Sequence, residues 1–348
     1  MGIEKIDKNF KIDSQLSDAD IVWYNAKDDI FDIYGLYQPH MAGGFCRLPD
    51  DVVKNCNEGV GHLQKNTAGA RLRFKTDSEY ICLKVKYNLH MMPHMPLTGS
   101  AGFDLYSQRD GKHTFLKGFT PRPTDTNGFE RKVDTPHGLC DYIINFPLYM
   151  NVDELYIGFK EGSTVQSGEK YTIDKPVVYY GSSITQGGCA SRPGTAYQAF
   201  ISRRFDADFI NLGFSGSGKG DSALAEYIAG LEMSAFVYDY DHNAPSAEHY
   251  KATHEPFFKI IRKAQPNLPI IFVTAPFPCR PTYTEIARTT YNNAVAAGDK
   301  NVTFIDGADF FVGELKTNCT VDGLHPTDLG FYQMSRLIGD ALEKYIVK

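Results

Sequence analysis

Two neighbouring serines, Ser182 and Ser183, sit inside the run "VVYYGSSITQGG" (177–188). Near the other end of the chain, Asp322 and His325 stand three residues apart in "DGLHP" (322–326). A serine hydroxyl attacks a carbonyl only when a neighbour takes its proton; a histidine is the usual recipient, and a carboxylate holds the imidazole in the productive tautomer. These residue types are the parts of a nucleophilic acyl-transfer site. Spacing alone does not single them out, because Asp-x-x-His recurs at Asp110/His113, Asp134/His137, Asp239/His242 and Asp322/His325. The last pair differs in lying between what the pattern implies are the final strand and the final helix.

The elements that must position these groups are legible in the second half. "PVVYYG" precedes a helical run from Thr195 to Phe205, and "DFINLGFS" one from about Asp221 to Leu231. "AFVYDYDHN" precedes one from about Ser246 to Ala264, and "PIIFVTAP" one from about Thr284 to Ala297. "VTFIDG" is followed, after a loop, by a last helix from about Thr327 to Ile346. Five buried-looking strands alternating with helices predict a parallel sheet covered on both faces, with sites at the strands' carboxyl ends. Those ends carry Gly181-Ser182-Ser183, Ser215-Gly216 and Asp241-His242-Asn243, with the Asp322–Pro326 loop after the fifth strand. A nucleophile, a base, a carboxylate and possible oxyanion donors therefore gather at one edge of one sheet.

The first half keeps a different period. In "RLRFKTDSEYICLKVKY" apolar residues alternate around Thr76-Asp77-Ser78, which predicts an antiparallel pair. "GFDLYSQRDGKHTFLKGF" carries the hairpin signal Asp110-Gly111, and "CDYIINFPLY" and "DELYIGFKEG" add short strands. This half predicts a β-sandwich or jelly roll. The polar stretch 161–176 reads as the connection, giving an accessory domain over 1–170 and an α/β domain over 171–348.

The blocks "GSSI" (181–184), "NLGFSG" (211–216), "DYDHN" (239–243) and "DGLHP" (322–326) resemble, in this order, those of the SGNH/GDSL hydrolase superfamily. "AGFDLY" (101–106) and the preceding "MMPHMPLTGS" resemble the GxDLY-type β-domain found in one branch of it. Two departures mark a divergent branch: Ser182 stands where an aspartate is usual, and the usual "GxND" is reduced to a bare Asn243. The resemblance implies a flavodoxin-like α/β/α fold with Ser183 as nucleophile, His325 as base and Asp322 as its partner. It also implies an oxyanion hole from the N–H groups of Ser183 and Gly216 and the Asn243 amide. The implied activity is hydrolysis of small esters, acetyl groups on a carbohydrate first, with no metal and no organic cofactor. Ser182 is then structural. His94, Arg192 and Lys219, near the blocks, are candidates for substrate contact; His94 would act through a loop that leans over the catalytic domain.

Competing readings are weaker. "GFSGSGKG" (213–220) nearly matches a phosphate-binding loop, but Gly220 stands where the magnesium-binding hydroxyl belongs. His90 and His94 in "HMMPHMP" suggest a metal, but Pro93 spoils helical presentation. An inactive carbohydrate-binding protein, with aromatics such as Trp23 as sugar platforms, and an esterase or lipase for non-carbohydrate esters complete the set. The net charge of −6 argues against nucleic acid, and no apolar run reaches membrane-spanning length. Seven dispersed cysteines (46, 56, 82, 140, 189, 279, 319) resemble neither a disulfide framework nor a zinc site. The opening "MGIEKIDKNFKID" lacks a signal-like apolar region, which fits a cytoplasmic chain or an exported one after signal removal. Oligomeric state is not encoded in any of these features.

Overall fold

Alternation dictates the first half. In the computed structural model, which describes residues 14–17, 20–136, 138–276 and 280–347, two antiparallel sheets face each other across one core. The opening segment 1–13, His137 and Cys279 lie outside the described residues. Strands β1 (Ile21–Asn25), β4 (Tyr80–Lys86), β7 (Gly128–Asp134) and β9 (Glu154–Lys160) form one sheet in the order β1-β9-β4-β7. The other holds β3 (Arg71–Thr76), β5 (Phe103–Arg109), β6 (Lys112–Phe119), β8 (Cys140–Asn145) and β10 (Val165–Ser167) in the order β10-β3-β8-β5-β6, with β2 (Asp32–Tyr34) on β3. Leu72 and Phe74 from one sheet and Ile81, Leu83 and Val85 from the other fill the space between them.

This corrects one expectation. The β3 and β4 strands do not pair with each other but lie in opposite sheets, joined by an arch in which the buried Ser78 hydroxyl donates to the Tyr80 carbonyl at 2.6 Å. Both strands send apolar side chains into the same core from opposite sides, a pattern that sequence alternation shares with a hairpin. The β5–β6 hairpin forms as expected on Asp110 and Gly111, both left-handed (φ 49° and 72°). Trp23 is no platform: it is buried with Tyr80 and Cys82.

The short helices α1 (Asp50–Val53), α2 (Glu58–Leu63) and α3 (Leu97–Ser100) lie in the first half's connections. The second half opens with β11 (Ile173–Gly181), α4 (Ser183–Gln186), α5 (Tyr197–Phe205), β12 (Ala207–Gly213) and α6 (Ser222–Ala229). It continues through β13 (Ala235–Asp239), α7 (Ala247–Ala264), β14 (Ile270–Val273), α8 (Pro281–Ala296), β15 (Val302–Ile305) and α9 (Asp328–Ile346). All five strands run parallel in the order β12-β11-β13-β14-β15. Val177 and Tyr179 face one core, under α5 and α9, while Val178 and Tyr180 face the other, under α6 and α7, giving three layers. The chain leaves β11 for β12 on one side and returns to β13 on the other, so β11 ends at the switch point, where such sheets open a crevice. No helix among the described residues is long and apolar enough to cross a membrane.

Arginines join the two halves. On β3 the residues alternating with the core, Arg71 and Arg73, face β12: Arg71 donates to the Phe209 carbonyl at 2.9 Å and pairs with Asp208. Arg47 is fully buried and donates to the carbonyls of Asn211 (2.9 Å), Gly213 (2.8 Å) and Leu63 (2.7 Å), with the Phe214 ring 4.6 Å from its guanidinium carbon. Burial pushes its pKa down to about 9, opposed by Tyr149. Replacing Arg47 by methionine relieves that desolvation but strips the buried Asn211 and Gly213 carbonyls of this donor, at about 1–3 kcal/mol each, while the Leu63 carbonyl keeps the Asn66 N–H at 3.0 Å. The second effect dominates. Arg47→Met is expected to lower stability by roughly 3 kcal/mol in a denaturant titration, and Arg47→Lys is not expected to rescue it, because an ammonium lacks the fork that spans the three carbonyls.

Candidate active site

Register sets the site's floor. Pairing aligns Gly213, Gly181 and Asp239, so three sequence blocks leave the sheet from one line. At Gly181 a Cβ would lie 2.1 Å from the Asp239 carbonyl and 2.2 Å from Thr185 Oγ1, which makes a side chain impossible there. Ser182 then caps α4, its hydroxyl accepting the Ile184 N–H at 3.2 Å. Ser183 is the first helical residue, so its N–H has no acceptor within the helix. The two serines thus divide the work: Ser182 starts the helix, and Ser183 presents its hydroxyl.

The Ser183 Oγ lies 3.0 Å from His325 Nε2, and His325 Nδ1 lies 2.7 Å from Asp322 Oδ2. With the carboxylate on Nδ1, that nitrogen carries the proton and Nε2 keeps a lone pair for the serine O–H. The loop is built for this contact. Asp322 Oδ1 accepts the N–H groups of Leu324 (3.0 Å) and His325 (2.8 Å), while the Val321 N–H returns to the His325 carbonyl at 2.9 Å. Burial alone would raise the Asp322 carboxyl, but the donors from His325 and Leu324 outweigh it and hold it at about 2.

Beside them, the β12–α6 loop folds on itself. Ser217 and Gly218 donate to the Phe214 carbonyl, and Gly216 takes a left-handed backbone (φ 67°) with open space where a Cβ would stand. The requirement at Gly216 is therefore conformational. Asn243 Oδ1 accepts the Gly218 N–H at 3.4 Å. The phosphate-loop reading of 213–220 fails here. Phe214, Ser215, Ser217, Gly218 and Gly220 all donate their N–H groups to protein acceptors: Gly181, Gln186, Phe214, Asn243 and Tyr180. Asn243→Ala is expected to lower kcat on an ester by about 10²–10³, with little change in KM, if its amide serves the oxyanion; steady-state kinetics checks this.

The other sequence candidates separate. The His94 ring lies 5.4 Å from that of His325, so the loop from the β-domain does reach this edge. Arg192 is engaged elsewhere: its guanidinium bonds to the Tyr106 hydroxyl, lies 3.5 Å from Asp104, and covers the Phe115 ring at 3.9 Å. It ties the two halves together. At Lys219 the backbone carbonyl is the anchored group, accepting from Tyr240 and from His249 at 2.8 Å.

Several positioning groups escape sequence reasoning. Gln186 donates to Asn66 (3.0 Å) and to the Leu148 carbonyl (3.1 Å) and accepts the Ser215 N–H (2.9 Å), linking α4, the glycine loop and the β-domain. Tyr149, also from the β-domain, donates to the Ser183 carbonyl at 3.2 Å. Thr185 donates at 3.0 Å to Asp239, whose pKa is raised by burial and by Asp241. Their partners lie far off in sequence, and no local pattern marks them.

Residues 174–343 match the model of the GDSL-like lipase/acylhydrolase family, and residues 21–165 match that of the GxDLY domain, the N-terminus of esterases of SGNH-hydrolase type. No curated protein matches the chain in sequence. A solved structure from Bacteroides ovatus ATCC 8483, described as a GDSL-like lipase, is 28% identical with a TM-score of 0.84, over 93% of this chain and 98% of that one. The salicylyl-acyltransferase SsfX3 of a tetracycline biosynthetic pathway shares the fold at 19% identity and a TM-score of 0.75, over 95% of this chain and 100% of its own. An acetyl xylan esterase, Est2A, from the rumen bacterium Butyrivibrio proteoclasticus shares it at 14% and 0.57, over 93% and 98%. With both of its halves matched in order, the chain belongs to the SGNH/GDSL hydrolases, in the branch that carries a GxDLY-type β-domain before the α/β domain.

Proposed function

We propose that the protein is a serine esterase that removes small acyl groups, acetyl first, from a carbohydrate, with residues 171–348 carrying the chemistry and 1–170 buttressing it. The Ser183–His325–Asp322 contacts carry the reading. Ser183 Oγ attacks the ester carbonyl carbon while its proton passes to His325 Nε2. The ester C–O bond breaks, and the leaving alcohol takes that proton. Water then attacks the acyl-Ser183, giving its proton to His325; the bond from Ser183 Oγ to the acyl carbon breaks, Oγ takes that proton back, and the acid departs. The N–H groups of Ser183 and Gly216 and the Asn243 amide hold the oxyanion in both halves.

Acetyl as the first acyl group is supported by the two-domain fold shared with an acetyl xylan esterase, and so is a carbohydrate substrate. The test compares p-nitrophenyl acetate, butyrate and octanoate, then a panel of acetylated oligosaccharides. Falling kcat/KM with chain length and acetate release from a glycan are expected. Preference for octanoate would sink the small-acyl reading, and no release from any glycan would favour a non-carbohydrate ester.

A further inference from the structure

The His325 imidazole has neighbours that an ester relay does not use. Among the described residues, His94, Cys189 and His325 form a group whose ligand atoms all lie within 4.8 Å of one another. They come from three separate places: the β-domain loop before α3, the turn after α4, and the loop before α9. Cys189 is buried, and its thiol donates to the His94 carbonyl at 3.3 Å, so the turn and the loop are already tied. Its backbone is left-handed (φ 72°), a conformation that costs a non-glycine residue energy and persists only where surroundings enforce it.

We propose that these three side chains form a zinc site that silences the enzyme. Two imidazoles and a thiolate suit a soft, tetrahedral divalent ion. In such a site ligand atoms stand about 3.4–3.6 Å apart, from bond lengths near 2.0–2.3 Å. Closing the present spread to that length requires side-chain rotation of His94 and Cys189. His325 is prepared for the role: Asp322 holds Nδ1 at 2.7 Å, the carboxylate–histidine arrangement that orients and strengthens a metal-bound imidazole, which leaves Nε2 to take the ion once the Ser183 hydroxyl, 3.0 Å away, turns aside. Binding takes the lone pair that would receive the Ser183 proton and releases the Cys189 thiol proton to solvent. Zinc and a substrate ester then exclude each other. Silencing rests on the reading of His325 as base; metal binding does not.

The experiment uses the full chain stripped with chelator. Cobalt(II) is titrated while its thiolate charge-transfer absorption is followed, and zinc is titrated by calorimetry and against p-nitrophenyl acetate hydrolysis. One cobalt per chain with a thiolate band is expected, along with zinc inhibition reversed by chelator. Cys189→Ser preserves the hydrogen bond to His94 and is expected to keep basal turnover, lose the band, and weaken zinc inhibition about tenfold or more. His94→Gln weakens zinc binding in calorimetry. Absence of the band, or equal zinc inhibition in wild type and Cys189→Ser, would overturn the site. A thiolate band in a protein that hydrolyses no ester would uphold the site and remove the esterase reading instead.

Discussion

Ser183→Ala is expected to lower kcat for p-nitrophenyl acetate by a factor on the order of 10⁴ or more, with the thermal midpoint unchanged within error. The asymmetry follows from what the hydroxyl touches. Its hydrogen bond is to His325 at 3.0 Å, whereas the cap of α4 is made by Ser182, so the helix and the turn survive the change. What goes is the covalent route. Residual turnover would come from the oxyanion donors polarising the carbonyl toward water. Equal activity in the two proteins would place the nucleophile elsewhere; a fall in midpoint matching the fall in activity would make Ser183 a structural residue.

The second large effect belongs to Asp322. Asp322→Asn keeps an Oδ1 for the N–H groups of Leu324 and His325 but presents an NH2 to His325 Nδ1. Nδ1 must then accept, the proton moves to Nε2, and the base can no longer receive from Ser183. A fall in kcat on the order of 10⁴ is expected, with the loop intact in a thermal melt. Because the donors hold the wild-type carboxyl at about 2, Asp322 stays ionised through mildly acidic pH. Loss of wild-type activity between about pH 4 and 6 would therefore come from another group. A mutant with near-normal turnover would reduce the relay to a Ser183–His325 dyad.

The sheet and its site edge were readable because each strand is a continuous apolar run and each helix keeps its own period. Observed helix starts at Ser222, Ala247 and Asp328 fall next to their capping residues Asp221, Ser246 and Thr327. The β-domain was readable in kind but not in pairing. Alternation at Leu72 and Phe74 against Ile81, Leu83 and Val85 says which face is buried, and a hairpin and an arch across a sandwich share that pattern. Arg71 and Arg73, which alternate with that core face, are buried rather than exposed, Arg71 against β12 and Arg73 against Gln108 and the Tyr171 ring, because alternation cannot tell water from other parts of the protein. Ser183, Asp322 and His325 stood out through block order. Gln186 and Tyr149 did not, since each acts through partners distant in sequence.

The most direct test of an acyl-Ser183 route is active-site labelling with a fluorophosphonate, read by intact mass and peptide mapping. Serine attack on phosphorus expels fluoride and leaves a stable adduct. One adduct per chain, on the peptide containing Ser183 and absent from Ser183→Ala and His325→Ala, is the expected result. An adduct on any other residue, or none in a preparation that hydrolyses p-nitrophenyl acetate, would contradict it.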